Sequence, residues 1–302
     1  MTPPRTIADP IDIGKVAAPP LIRPPDPRQV FARRAERFVR LAATNSLADF
    51  LSFMAAIADA QLTALAALPG LAELTIDGAH GAPPLDRGSW RPDASWRRAL
   101  AAILDRLGKE PLTAETRAAV ERLTRSPSIT LDALVDKTVC FENGEVEPAE
   151  GCLLFAALQT CWTGMAGVIG PQAVPSPDRA GACPVCGSPP IASIVHTAGS
   201  VAGVRFLVCS LCATEWHLVR IKCANCHSTK GIAYLEIEGG DGLVKAETCD
   251  ECRTYTKIIY IEKDLRAEVF ADDLATLGLD IMVDEAGWRR ATPNPFLLPG
   301  GG

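Results

Sequence analysis

Eight cysteines of this chain form two copies of one spaced pattern. Cys183, Cys186, Cys209 and Cys212 recur 40 residues later as Cys223, Cys226, Cys249 and Cys252. In each copy 22 residues separate two Cys-x-x-Cys pairs, so the copies align without a gap. Two thiolates from one tight turn and two from another complete a tetrahedral metal site. The pattern therefore predicts a four-cysteine metal ribbon, present in tandem.

The sequence predicts cysteine as the ligand but does not by itself decide which two Cys-x-x-Cys pairs share an ion. The first pair can combine with the second, the third or the fourth. Because a duplicated unit should carry a complete site, we assign the first four cysteines to one ion and the last four to another. Crossed pairing is the main alternative. Gly187, directly after Cys186, suits a turn that closes under a metal, since glycine readily takes a positive φ, whereas the other three turns lack that glycine.

Disulfides and redox chemistry are the other uses of paired cysteines. Disulfides need an oxidising compartment, but residues 1–27 are rich in proline and lack the apolar core of a signal peptide. The N-terminus therefore argues against an oxidising compartment and against disulfides. A thioredoxin-like redox motif is expected once, at a strand-to-helix junction, and not four times at metal spacing.

Composition divides the chain into a helical part and a strand-rich part. The first 180 residues are rich in alanine, leucine and arginine, and apolar spacing predicts helices at 27–44, 50–57, 94–107, 113–123, 130–139 and 148–168. Ser46-x-x-Asp49 reads as a capping box before the second of these, and 78–92 reads as a loop. Among the cysteines, β-branched and aromatic residues predict strands at 191–196, 204–208, 216–221, 232–237 and 257–261. A further helix is expected at 272–287.

These elements indicate an α+β fold. A helical N-terminal domain is followed by two tandem rubredoxin-like or zinc-ribbon modules and a C-terminal helix. The expected divisions are a flexible segment 1–27, a helical domain 28–170, a linker 171–182, a first ribbon 183–222, a second ribbon 223–263, and a C-terminal helix and tail 264–302.

Residues 151–170 carry no charge, which raises the question of a membrane span. We interpret this segment as a buried helix, because polar residues interrupt it, no basic cluster flanks it and Pro171 ends it. No stable membrane insertion is expected. The remaining cysteines, Cys140, Cys152 and Cys161, are interpreted as small buried hydrophobic residues.

Charge and motif content narrow the function further. Residues 183–302 hold 11 Lys and Arg against 15 Asp and Glu, an acidic balance that disfavours nucleic-acid binding. Arg33, Arg34, Arg37 and Arg40 cluster on one predicted helix, and we interpret them as a solvated face. No phosphate-binding loop, Ser/His/Asp signature or His-Glu-x-x-His motif occurs, so no catalytic residues are predicted.

Several segments resemble the formate dehydrogenase accessory protein family, FdhE. They are Cys183-Pro-Val-Cys-Gly-Ser, the stretch from Cys209 through Thr214-Glu-Trp-His to Cys226, the stretch Lys245 to Lys257, and Asn294-Pro-Phe-Leu-Leu-Pro299. The resemblance covers 183–299 closely. It implies a non-catalytic cytoplasmic factor that binds the catalytic subunit of a molybdenum- or tungsten-containing formate dehydrogenase during maturation.

For such a maturation factor, our hypothesis is that the metals fix the ribbon hairpins, so that side chains beside the turns form a rigid partner surface. The candidates for that surface are Thr214, Glu215, Trp216, His217, Tyr255 and Lys257. Packing inside the hairpins is the alternative role for these residues.

The identity of the two ions stays open. The family resemblance favours iron, whereas the general frequency of four-cysteine ribbons favours zinc. A rubredoxin-like electron carrier is the main functional alternative, and a nucleic-acid-binding zinc ribbon is a lesser one. Self-association and the domain that contacts the client also stay open.

Overall fold

A computed structural model describes residues 18–68, 82–139, 146–175, 181–197 and 202–297. Some predictions fall outside these ranges. They are those for Cys140, for residues 1–17, for the start of the 78–92 loop, for part of the 171–182 linker and for the tail after Leu297.

Helices make up the N-terminal part of the fold and surround one buried helix. They are α1 (Pro27–Ala42), α2 (Ala48–Ala66), α3 (Ala94–Leu107), α4 (Ala114–Arg125), α5 (Ser128–Val139) and α6 (Pro148–Ala166). The other five all contact α6. Fifteen of the 19 residues of α6 are buried, including Cys152 and Cys161. The uncharged segment is thus a core helix, as we predicted from the polar residues that interrupt it.

Side-chain caps fix where most of these helices begin. Asp26 accepts a hydrogen bond from the Gln29 N–H, and Thr113 accepts one from the Thr116 N–H. The expected capping box at Ser46 is not formed. Instead α2 begins after Leu47, whose N–H donates to the side-chain oxygen of Asn45 at 2.9 Å. The Asn45 side chain replaces the capping box as the local constraint.

The strands form one mixed sheet. They are β1 (Ile22–Arg23), β2 (Pro190–Val195), β3 (Arg205–Cys209), β4 (Glu215–His217), β5 (Ile232–Leu235), β6 (Val244–Cys249), β7 (Thr254–Tyr260) and β8 (Arg289–Arg290). The order among described strands is β1-β4-β3-β2-β7-β6-β5, and β8 pairs with the start of β7. The strand predicted at 216–221 ends at His217. Its continuation leaves the sheet, and Ile221 takes a φ of +58° just before the next cysteine turn.

The two ribbons share this sheet and do not stand apart. The first contributes β2, β3 and β4, the second β5, β6 and β7, and all pairs within each ribbon are antiparallel. A parallel pair between β2 and β7 joins them, with Ser193 opposite Ile258 and Val195 opposite Tyr260. One hydrophobic core runs from the helices into the sheet and includes Phe38, Trp162 and Phe206.

The N-terminal segment is partly ordered by the sheet. Ile22 and Arg23 pair with Trp216 and Glu215, and Ile22 is buried. Within the segment 1–27, Ile22 and Arg23 therefore form β1, which covers the edge of β4.

The predicted C-terminal helix is divided in two. It consists of α7 (Val269–Ala275) and α8 (Leu277–Glu285), which meet at Thr276. The Thr276 hydroxyl donates to the Asp272 carbonyl at 2.8 Å, and the Lys257 ammonium donates to the Asp273 and Thr276 carbonyls at 2.9 and 3.0 Å. These bonds satisfy carbonyl groups at the end of α7, so the break costs little.

Candidate metal centres

The eight repeated cysteines form two groups of four. We call Cys183, Cys186, Cys209 and Cys212 the first centre, and Cys223, Cys226, Cys249 and Cys252 the second centre. In each centre all four sulfur atoms lie within 4.8 Å of one another. The grouping is the one that the repeat predicted, and the crossed pairing is not the one adopted.

The sulfur spacing suits a bound ion. Cys183 and Cys186 lie 3.6 and 3.4 Å from their facing sulfurs in the first centre, and Cys223 and Cys226 lie 3.7 and 3.6 Å from theirs in the second. A tetrahedron with metal–sulfur bonds of about 2.3 Å has edges of about 3.8 Å. A disulfide would need about 2.05 Å. Each centre therefore has room for one tetrahedral ion and contains no disulfide.

Backbone amides of the turns point at the sulfurs. The Val185 N–H donates to Cys183 Sγ at 3.4 Å, and the Leu211 N–H donates to Cys209 Sγ at the same distance. In the second centre the Asn225 N–H donates to Cys223 Sγ at 3.3 Å. Hydrogen bonds of this kind favour the thiolate, which is the form that ligates a metal.

All four turns close with the same backbone conformation. The residue after each Cys-x-x-Cys pair has a positive φ: Gly187 at 74°, Ala213 at 57°, His227 at 62° and Arg253 at 54°. The sequence pointed to this conformation only at the glycine. The other three residues adopt a left-handed conformation that is unfavourable for them, which the turn geometry around the sulfurs must outweigh.

The duplication also extends to two threonines. Thr214 and Thr254 each lie two residues after the last cysteine of their centre, and their hydroxyls lie 3.1 and 3.0 Å from the sulfurs of Cys212 and Cys252. Thr214 is fully buried. It was expected on a partner surface, but its observed contact is with a metal-site sulfur.

The sulfurs of each centre differ in proton affinity. Burial raises the pKa of Cys223 to about 12. Burial also acts to raise the pKa of Cys252, but hydrogen bonds from Thr254 and its neighbours outweigh it and lower that pKa to about 7. Four thiolates so close together repel one another, and a bound cation is what stabilises all four at neutral pH.

The remaining surface candidates divide into buried and half-buried residues. Trp216, Tyr255 and Lys257 are buried, at 3%, 2% and 0% exposure. Glu215 and His217 are half-buried on β4. Only these last two of the six candidates present a side chain to solvent.

Tyr255 and Lys257 attach the second ribbon to the C-terminal helices. Both bond to Asp280 of α8, the Tyr255 hydroxyl to one carboxylate oxygen and the Lys257 ammonium to the other, each at 2.6 Å. Arg290 lies beside the same carboxylate at 3.3 Å. The burial of Lys257 could not be predicted from its place on a strand, because the carboxylate that pairs with it lies on α8.

A buried ion pair joins the two ribbons. Arg205 on β3 donates to Glu247 on β6 at 2.7 Å, to the Ser193 hydroxyl and to the Lys222 carbonyl. The Tyr234 hydroxyl donates to the other Glu247 oxygen at 2.9 Å. Lys222 directly precedes Cys223, so the network connects the first ribbon to the first ligand of the second centre.

The arginine cluster of α1 is only partly a solvated face. Arg34 and Arg37 are buried and bind carboxylates of the C-terminal segment, Arg34 to Glu268 and Arg37 to Asp264 and Asp272. The prediction was wrong for these two residues and holds for Arg33 and Arg40, which are exposed. Arg34 and Arg37 lie three positions apart, on the same side of α1 as the buried Phe31 and Phe38. That spacing is the signal that could have placed them inside.

Within the described ranges one helix is long and apolar enough to cross a membrane by length and composition. It is α2, and half of the relevant window is buried inside the protein. Since α2 packs against α1, α3 and α6, its apolar character is accounted for by the core.

Comparison with known proteins covers nearly the whole chain. Three family models match in order: FdhE, N-terminal, at residues 19–178; FdhE, central domain, at 182–220; and FdhE, C-terminal domain, at 221–297. The boundary between the last two falls just before Cys223, between the two centres.

Individual relatives agree. A protein FdhE homolog of Serratia proteamaculans is 39% identical, over 90% of this chain and 89% of the relative. Protein FdhE of Escherichia coli K12 is 38% identical, over 94% and 93%. The crystal structure of the FdhE protein from Pseudomonas aeruginosa superposes with a TM-score of 0.83 at 35% identity, covering 93% of this chain and all of that one.

Proposed function

Because this chain belongs to the FdhE family, which supports a formate dehydrogenase accessory role, we propose that it binds the catalytic subunit of that enzyme during assembly. In this proposal it is a non-catalytic cytoplasmic chaperone. The observation that carries it is the match of all three FdhE models to a chain with two complete four-cysteine centres.

Each centre is proposed to hold one ion, iron or zinc. The donor set supports this, since four sulfurs at tetrahedral spacing with amide hydrogen bonds suit either metal. The ions would fix the positions of the turns from which β3, β4, β6 and β7 start or end. Without them, sulfurs at this spacing would lose the charge compensation that keeps the turns closed.

The proposed contact surface lies on β4 and the residues after it. Glu215 and His217 are the two solvent-facing candidates, and the His217 N–H donates to the Leu21 carbonyl. Leu21 and Val219 are both more than half exposed. A rigid strand with a carboxylate, an imidazole and adjacent apolar side chains has the composition of an interface anchor.

This surface is held by contacts of its own. Glu215 accepts a hydrogen bond from Arg23 and lies 2.8 Å from the His196 ring nitrogen. His217 lies edge-on to the buried Phe206, with ring centroids 5.9 Å apart. The surface residues are thus positioned by β1 and β3 before any partner arrives, which lowers the cost of ordering them on binding.

Co-purification from the native host tests the proposal. The tagged wild type is compared with a Glu215→Ala/His217→Ala variant and with a Lys230→Ala/Glu238→Ala control, which changes exposed charges near β5. We expect the wild type and the control to retain the formate dehydrogenase catalytic subunit. The surface variant should lose it while keeping two metals per chain and an unchanged circular dichroism spectrum.

A metal-site variant completes the experiment. Cys183→Ser/Cys223→Ser should lose both metal and catalytic subunit. Recovery of the subunit with every variant would remove Glu215 and His217 from the contact and the metals from its support. Absence of the subunit with wild type would contradict the proposed partner.

A further inference from the structure

The two centres have the same ligands but different surroundings. Every cysteine of the first centre is at most 1% exposed. In the second centre Cys226 is exposed and Cys252 is half-buried, whereas Cys223 and Cys249 are buried. Because the copies align at an offset of 40, each exposed ligand has a buried counterpart, Cys186 for Cys226 and Cys212 for Cys252.

The sequence of the turns encodes this difference. Between the paired cysteines the first centre has Val185 and Leu211, which are 2% and 0% exposed. The residues 40 positions later are Asn225 and Glu251, both exposed. The apolar residues bury their turns in the core, and the polar ones leave the corresponding turns in water.

The helical domain closes over the first centre. The Leu85 N–H donates to the Val185 carbonyl at 2.8 Å, and the Arg87 N–H donates to the Cys186 carbonyl at 3.1 Å. From α6, the Gln159 side chain donates to the Ser210 carbonyl at 3.0 Å. Both turns of the first centre are therefore held by hydrogen bonds from another part of the fold.

The turns of the second centre are bonded differently. Among the described residues, the backbone hydrogen bonds of these turns come from the second ribbon itself or from the short strand β8: Cys223 to Ser228, Asp250 to Gly231 and Arg289 to Arg253. An incoming ligand can reach the side of Cys226 without displacing a helix or a loop.

We propose that the second centre releases its metal ion to external thiol ligands and that Cys226 is the first cysteine to be displaced. The first centre retains its ion as a permanent structural element. This rests on the proposed occupancy of both centres. The exchange is redox-neutral: an incoming thiol takes the ligand position of Cys226 and gives its proton to the Cys226 sulfur. The same attack at the first centre requires the loop 82–90 or α6 to move away first.

Metal release from the full-length protein tests the proposal. Zinc-loaded protein, checked by elemental analysis for two equivalents, is mixed with excess dithiothreitol and the zinc indicator 4-(2-pyridylazo)resorcinol. We expect one equivalent to leave rapidly and the other about 100-fold more slowly, since three hydrogen bonds to the helical domain must open before the first centre is reached. The matched variants are Cys226→Ser, which should remove the fast phase alone, and Cys186→Ser, which should remove the slow one.

Alkylation of the wild type keeps the test decisive if Cys186→Ser fails to fold. Cleavage after Lys and Arg places the four turns on separate peptides, 180–205, 206–220, 223–230 and 246–253. A short pulse of iodoacetamide, given in excess over the dithiothreitol during the fast phase, should label 223–230 and 246–253 and spare the other two. Release of both equivalents at one rate, or earlier labelling of 180–205 or 206–220, would overturn the division between the centres. Fewer than two equivalents at the start would instead overturn the occupancy on which it rests.

Discussion

Replacing Arg205 with methionine should destabilise the protein by about 3–5 kcal/mol, the usual cost of leaving one member of a buried ion pair unpaired. Arg205 is 1% exposed and Glu247 is 4% exposed. The substitution removes the 2.7 Å bond to Glu247, two bonds to the Ser193 hydroxyl and the bond to the Lys222 carbonyl. After it, the Tyr234 hydroxyl is the one side-chain partner that Glu247 keeps among the described residues.

The double variant sharpens this prediction. Arg205→Met/Glu247→Met removes both charges, so it should be less destabilised than Arg205→Met alone. The matched control is Arg253→Met, which removes the pair with Asp250. Both of those side chains are 56% exposed, so that loss should be below about 1 kcal/mol.

Urea unfolding of the metal-loaded proteins, followed by circular dichroism, measures these differences. Because Lys222 precedes Cys223, Arg205→Met should also speed metal loss from the second centre more than from the first. A loss of stability no larger than that of Arg253→Met would refute the reasoning. A double variant less stable than Arg205→Met would refute the assigned cause.

Three further predictions concern the backbone, pH and thiol reactivity. Gly187→Ala should cost about 1–2 kcal/mol in urea unfolding because φ is +74°, whereas Gly278→Ala, in α8 with open space around it, should be neutral or stabilising; equal effects would contradict the conformational argument. Arg266 and Arg37 hold the pKa of Asp264 well below its usual range, so its contribution to stability should be present above about pH 4 and decline as pH falls further; Asp264→Asn should flatten that decline in unfolding measurements from pH 7 to pH 2, and an unchanged slope would count against it. Burial raises the pKa of Cys152 and Cys161 to about 12, so neither should react with iodoacetamide at pH 8 in the native protein; labelling before unfolding, seen by mass spectrometry, would show that α6 opens.

The local structure of the two centres could be predicted from the cysteine repeat. The 40-residue repeat favoured the observed grouping of sulfurs over a crossed pairing, because a duplicated unit should carry a complete site. Helix α6 could equally be predicted from its uncharged sequence, since its length and composition fit a core helix. In both cases the information lies within a short part of the chain.

Contacts between distant segments were not readable in the same way. Lys257 and Arg37 are charged residues whose burial depends on Asp280 and Asp272, which lie 23 and 235 positions away in other elements. A sequence pattern shows a charge but not the carboxylate that will face it. For the same reason the parallel pairing of β2 with β7, which fuses the ribbons into one sheet, left no local mark.

The different exposure of the centres was visible in principle. At aligned positions of the two copies, the first has the apolar Val185 and Leu211, and the second has the polar Asn225 and Glu251. Comparing the copies residue by residue, beyond their cysteines, would have indicated which centre faces the core.

Binding of purified formate dehydrogenase catalytic subunit to the metal-loaded, metal-stripped and reloaded protein tests the central claim most directly. Isothermal titration calorimetry would be run with the Glu215→Ala/His217→Ala variant as the surface control. We expect the loaded wild type to bind, the stripped protein and the surface variant to bind at least about tenfold more weakly, and reloading to restore the affinity, since an unfixed surface must be ordered on binding. Equal affinity of the loaded and stripped proteins would contradict the claim that the two centres hold the client surface in place.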